Sequence, residues 1–269
     1  MPIRRLLLPC LLAVLSAACL DSATLITVKA DGSGTVEQTL LVNSSAAKAM
    51  LGGLEQPGGA AEEPAINEAD LRRAAERMGG VRFVSATPVT RGAFKGVSAV
   101  YAFDDINAVE VNQEPHLSGS TSGTFSAAPT ATSPVRFKWA RSASGAVLTV
   151  TMADEALAAP GAAEPGAAEP PELPDPQMLG MMKSMFEGFR IGIDLQVDGT
   201  IVRTNADYVT GSRVTLLALD LGTLLANQDK LAALQSSLGP GASLAEARPL
   251  LKDVPGVKIN EPVITIEYR

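Results

Sequence analysis

Leu15-Ser16-Ala17-Ala18-Cys19 closes an apolar leader and leaves the rest of the chain with a single thiol. Arg4 and Arg5 make a basic start, Leu6 to Leu15 are almost wholly apolar, and small residues run up to the cysteine. That order defines a secretory signal peptide, residues 1–18. Its apolar run falls short of the ~20 residues needed to span a bilayer as a helix, and Pro9 interrupts it. Of the two cysteines, Cys10 leaves with the leader. Residues 19–269 therefore cannot form an internal disulfide, although export favours such bonds. The body must be held by its hydrophobic core alone.

Cys19 is the expected lipidation site. A cysteine directly after small residues looks like the bacterial lipoprotein box, where the thiol takes a diacylglycerol and the new amine an acyl chain such as palmitate. Ser16 stands where that box usually has Leu. The alternative is an ordinary cut after Ala18 that leaves a free thiol. Each buried methylene contributes ~0.8 kcal/mol and one chain anchors only marginally, so durable attachment needs two or three chains. Leu20 rather than Asp follows the cysteine, which favours an outer membrane where the cell has two. Otherwise the expected place is the outer face of the cytoplasmic membrane. Asp21 pulls against that sorting inference.

Charge excludes one class of partner. The chain has 269 residues and a formal net charge of −7, and loss of Arg4 and Arg5 makes the mature chain two units more negative. An acidic chain of this kind is a poor nucleic-acid binder. Aromatic residues make up only 4%, and Ala, Gly, Val and Leu dominate.

The pattern along the chain predicts an α+β body, a twisted and mostly antiparallel sheet with helices on one face. Leu25 to Val28 and Thr35 to Val42 form a hairpin across Asp31-Gly32-Ser33-Gly34. Ser44 or Ser45 caps a short helix over Ala46 to Leu54, and Gln56 to Pro64 are loop. Asn67 caps a helix whose Leu71, Ala74, Ala75 and Met78 share a face, ended by Gly79-Gly80. Val81 to Val89 and Phe94 to Phe103 are strands; the second is apolar in both phases, which suits cover on both sides. Asn112 to Pro134 are a long loop. Val135 to Ala140 and Ala146 to Met152 pair, with Trp139, the single tryptophan, in the core.

An imperfect Ala-Pro-Gly-Ala-Ala-Glu repeat then changes the composition. It divides the chain into a part at 19–157, an acidic linker at 158–176 that cannot order itself, and a part at 177–269 that completes the domain. After it come a helix from Met178, a hairpin of Ile191 to Val197 with Thr200 to Ala206 across Asp198-Gly199, and a strand over Val209 to Leu219. A helix over Leu221 to Leu238 capped by Asp220, a helix over Ser243 to Leu251, and a strand over Pro262 to Tyr268 follow.

The order of these pieces resembles the LppM-type lipoprotein domain family over roughly residues 19–220. The resemblance rests on Cys19-Leu20 leading into Leu25-Ile26-Thr27-Val28, on Gly96 to Ile106, on the strands of Val135 to Met152, and on Gly199 to Asn205 with Gly211 to Thr215. It departs at Asp198, where the family has proline, and in the strand after Gly211, where the family has tryptophan. The resemblance implies a membrane-attached α+β envelope domain that binds a lipid or glycolipid. It carries over no catalytic residue.

Met178, Met181, Met182, Met185, Phe186 and Phe189 lie on one helical face and form the candidate apolar ligand surface. The plainer alternative is that this face packs on the sheet. Asp104, Asp105, Glu110 and Glu114 lack the spacing of a calcium loop. His116, the sole histidine, has no second histidine for a zinc site and no Gly-x-Ser-x-Gly elbow for a triad. The expectation is thus no enzyme, no metal and no cofactor. The expected work is non-catalytic binding of a lipid or other amphipathic envelope molecule, or else service as an interaction scaffold in an envelope complex.

Overall fold

The computed structural model describes residues 20–43, 67–111, 135–142, 145–152, 188–227, 229–230 and 244–269. Strand β1, Leu20–Val28, and strand β2, Gly34–Asn43, form the expected hairpin. Their turn is tight because Asp31 Oδ1 accepts both the backbone N–H (3.0 Å) and the hydroxyl (2.7 Å) of Ser33. Gly32 sits at φ 86° with the Trp139 ring 3.0 Å from where a Cβ would be. Both the left-handed backbone and the close ring require glycine there.

Helix α1, Glu68–Arg77, starts as its pattern requires, with the Asn67 side chain accepting the Ala69 N–H at 3.0 Å. Ala74, Ala75 and Met78 are buried. Strands β3, Val81–Arg91, and β4, Phe94–Phe103, pair across the Gly92 turn, with a bulge between Phe83 and Ser85. Ala99, Tyr101 and Phe103 of β4 are buried, while on its other face Ser98 is buried and Val100 and Ala102 are half-buried, so the expected cover on both sides is not seen along the strand. A short 3-10 turn, Ile106–Ala108, leads to β5, Glu110–Val111. The hairpin of β6, Val135–Ser142, and β7, Gly145–Thr151, also forms as expected. The helix expected over residues 46–54, the loops at 56–64 and 112–134, and the linker at 158–176 lie outside the described residues.

The second half corrects the single-sheet expectation. Strand β8, Arg190–Val197, runs parallel to β1 and antiparallel to β11, Arg213–Asp220. It makes no hairpin with β9, Ile201–Thr204, which pairs instead with β13, Val263–Tyr268. Asp198-Gly199 is therefore a corner at which the chain leaves one sheet for another. The Asp198 N–H donates to Val28 O (2.8 Å), and Thr200 exchanges hydrogen bonds with Arg269 (2.8 and 3.1 Å). Strands β10, Val209–Thr210, and β12, Val257–Ile259, share the remaining edge of β11. The result is an eight-stranded sheet, ordered β10-β11-β8-β1-β2-β4-β3 with β12 beside β11, and a five-stranded sheet ordered β5-β6-β7-β13-β9.

The two sheets close on a shared core. Ile26, Val28, Val36, Tyr101, Leu195, Val197 and Val214 from the larger meet Phe137, Leu148, Val150, Ile264, Ile266 and Tyr268 from the smaller. Each fully buried side chain of this size contributes about 1.5–3 kcal/mol through removal from water. This core, with no cystine, holds the body. The smaller sheet lies where a helical layer was expected. Helix α1 packs beside β3 and sends Ala75 and Met78 into that same core, while α2 (Leu221–Ala226) lies at the end of β11 and α3 (Leu244–Leu251) beside β12. The helix expected over residues 221–238 has its first break at Asn227, whose side chain donates back to Thr223 O at 2.7 Å.

Candidate functional site

The predicted site residues divide sharply. Cys19, Met178, Met181, Met182, Met185 and Phe186 lie outside the described residues. Phe189 is described: it is half-buried just before β8, and its carbonyl accepts the Leu221 N–H at 3.1 Å. Gly188 before it, at φ 85°, lies against the ring of Phe94, whose Cζ is 2.6 Å from the position a Cβ would take.

Leu20, the residue joined to Cys19, already lies in β1 and is buried. Strand register fixes its surroundings. Leu20 pairs with Val42, and Asp21 with both Leu41 and Arg190. Asn43 and Arg91 both pair with Phe94. Arg190 pairs with Asp220. One end of the larger sheet thus carries Leu20, Val42, Phe94, Arg91, Arg190 and Phe189. Two ion pairs join its strands: Arg91 Nη1 to Asp21 Oδ2 at 3.0 Å, and Arg190 Nε to Asp220 Oδ2 at 3.1 Å. In both the guanidinium faces water and the carboxylate does not: side-chain exposures are 66% against 14%, and 60% against 23%. Asp220 also caps α2 through the Thr223 N–H at 2.9 Å. Burial pushes its carboxyl up, but the Thr223 N–H and Arg190 outweigh burial and hold it below the ordinary carboxylate range.

The opposite end carries the Asp31 turn, Asp104, Asp105 and Asp198, all exposed. Asp104 faces Arg82 at 3.8 Å. Asp105 caps the 3-10 turn, accepting from Asn107 N at 2.9 Å and Nδ2 at 2.7 Å. Glu110 pairs with Arg136 at 3.0 Å. Asp104, Asp105 and Glu110, the described members of the acidic group read from the sequence, thus each have a structural partner. Glu114 and His116 lie outside the described residues.

Two arrangements escaped the sequence reading. Trp139 is half-buried and lies between the sheets; its Nε1 donates to Tyr268 Oη at 3.0 Å, and that hydroxyl donates to Lys29 O at 2.9 Å. Burial pushes the Tyr268 phenol above its ordinary value, against the opposing bond from Trp139 and with the nearby Asp31 charge. The other is a polar row on the larger sheet's outer face. Thr39 donates to Ser98 Oγ (3.1 Å), which donates to Glu37 Oε1 (2.9 Å). Neither arrangement shows in spacing, since each joins residues remote in sequence.

No helix among the described residues is long and apolar enough to cross a membrane. No family model matches the chain. No curated protein matches it. Among solved structures it is similar to the NMR structure of the folded domain of Mycobacterium tuberculosis LppM, at 11% identity and a TM-score of 0.32. The alignment covers 93% of this chain and 90% of that one. The likeness is a weak one, at the level of fold.

Proposed function

We propose that this chain is an exported bacterial lipoprotein, cut before Cys19 and anchored to an envelope membrane by acyl chains on that residue. The observation that carries the reading is the leader itself, where a basic start, an apolar run and small residues lead directly to Cys19. Leu20, the next residue, is already paired with Val42 in β1. Its work is non-catalytic: it binds a lipid or other amphipathic envelope molecule. The helical spacing of Met178, Met181, Met182, Met185 and Phe186 in the sequence supports that ligand class, because methionine adapts to irregular apolar shapes. Phe189 is not on that helix, since it follows Gly188 at φ 85° and leads into β8.

Two experiments test the two parts separately. Cys19→Ser is expected to move the protein from the membrane fraction to the soluble fraction; retention in the membrane would overturn the anchor. Mass spectrometry of the purified mature protein is expected to find co-purified lipid, and Met181→Glu with Met185→Glu is expected to lose that lipid while keeping the fold. A folded, lipid-free native protein would turn the reading toward an interaction scaffold. That alternative has its own support in the exposed outer edge of β3, where Val84 stands 51% exposed.

A further inference from the structure

Resting on the anchored reading above, we propose that the body stands end-on to the bilayer. The end carrying Leu20, Phe94, Arg91, Arg190 and Phe189 would rest on the lipid headgroups, and the Asp31–Asp104–Asp198 end would point away.

The first argument is tether length. Consecutive Cα atoms are about 3.8 Å apart, so the acylated residue lies one peptide unit from a residue fixed in a sheet. Leu20 is paired to Val42 and buried, and no spacer separates it from Cys19. A body joined in this way cannot float above the surface on a flexible stalk. Whatever surrounds Leu20 must meet the headgroups.

What surrounds Leu20 fits that place. Arg91 and Arg190 turn their guanidinium groups to water while their partners Asp21 and Asp220 are largely covered. The end therefore presents cations even though each is paired. Lys95 follows Phe94 on β4 and pairs with Val42, which in turn pairs with Leu20. Phe94 and Phe189 are half-buried beside them. Arginine with aromatic rings suits the zone between anionic headgroups and acyl chains. The far end, among the described residues, mixes four exposed aspartates, Asp31, Asp104, Asp105 and Asp198, with Lys29, Arg82, Arg213 and Arg269, so charge does not draw it to an anionic surface. The nine residues of β1 rise about 3.3 Å each, so the two ends stand roughly 27 Å apart.

The single tryptophan makes the test simple, because Trp139 packs on Gly32 at the far end. The acylated full-length mature protein is reconstituted in phosphatidylethanolamine and phosphatidylglycerol vesicles, with and without bromine at shallow acyl positions. Wild-type emission is expected to be the same in both. Thr90→Trp adds an indole on exposed β3, one residue before Arg91, where no packing is disturbed; it is expected to lose the added emission in brominated vesicles only. Quenching of Trp139, or an unquenched indole in the Thr90→Trp variant, in protein that co-sediments with vesicles would overturn the orientation. Failure to co-sediment would overturn the anchor itself, which Cys19→Ser tests independently.

Discussion

Asn260 shows how much one side chain carries. It is 1% exposed and sits where β11 is irregular, between Thr215 and Leu217. Its Nδ2 donates to Thr215 O (2.6 Å), its Oδ1 accepts from the Asp207 N–H (2.6 Å), and its own N–H donates to Leu216 O (3.2 Å). Asn260→Ala removes the hydrogen bonds to the part-buried Thr215 carbonyl and Asp207 N–H, each worth about 0.5–1.5 kcal/mol. A lowered urea midpoint is the expected outcome. Asn260→Asp should cost more, since a carboxylate oxygen would face the Thr215 carbonyl. Asp220 gives a second residue-scale prediction. Its folded carboxyl titrates below the ordinary 3.8. Its stabilisation is therefore complete above that value and is lost as pH falls through the lower folded value. The Tm advantage of wild type over Asp220→Asn should shrink on acidification in that window, and a constant difference would contradict the charge-based account.

Among the elements, β13 has the most to lose. Ile264 and Ile266 are fully buried on this strand, which lies between β7 and β9, and Ile266→Ala should cost about 2–5 kcal/mol in a denaturant titration. Gly32→Ala should also destabilise, by about 1 kcal/mol or more, through its positive φ and the Trp139 ring. These elements differ in how legible they were. The Asp31–Gly34 hairpin, α1 with its Asn67 cap, and the β6–β7 hairpin are built by neighbours in sequence, so local pattern revealed them. Asp198-Gly199 carries the same dipeptide signal as a hairpin yet marks a change of sheet. Alternation tells which residues face a core, not which sheet they join. For the same reason the strands of both sheets read as one sheet: an inward apolar face needs a cover, and the pattern does not name it. Asn260 and the Trp139–Tyr268–Lys29 chain could not be read at all, because their meaning lies in partners far along the chain. Of the candidate site, the cysteine and its leader rest on a local motif that lies outside the described residues, whereas the sheet end that carries Arg91, Phe94 and Arg190 required strand register.

In the whole molecule, the parts before and after the acidic Pro/Ala stretch are interleaved. Strand β8 enters between β1 and β11, and β13 lies against β7. A fragment of residues 19–157 lacks β8, β11 and β13 and so exposes one edge of β1 and of β7 together with half the shared core. It should show no cooperative unfolding transition by circular dichroism, whereas adding residues 177–269 in trans should restore one. The placement of β13 has a consequence for how such a chain is made. A polypeptide threaded through a translocon amino end first would deliver β1, β2 and β7 long before the strand that seals them. On the proposed route of export the nascent protein would stay open and pliable enough to thread. Locking would come only after β13 had emerged to seal β7.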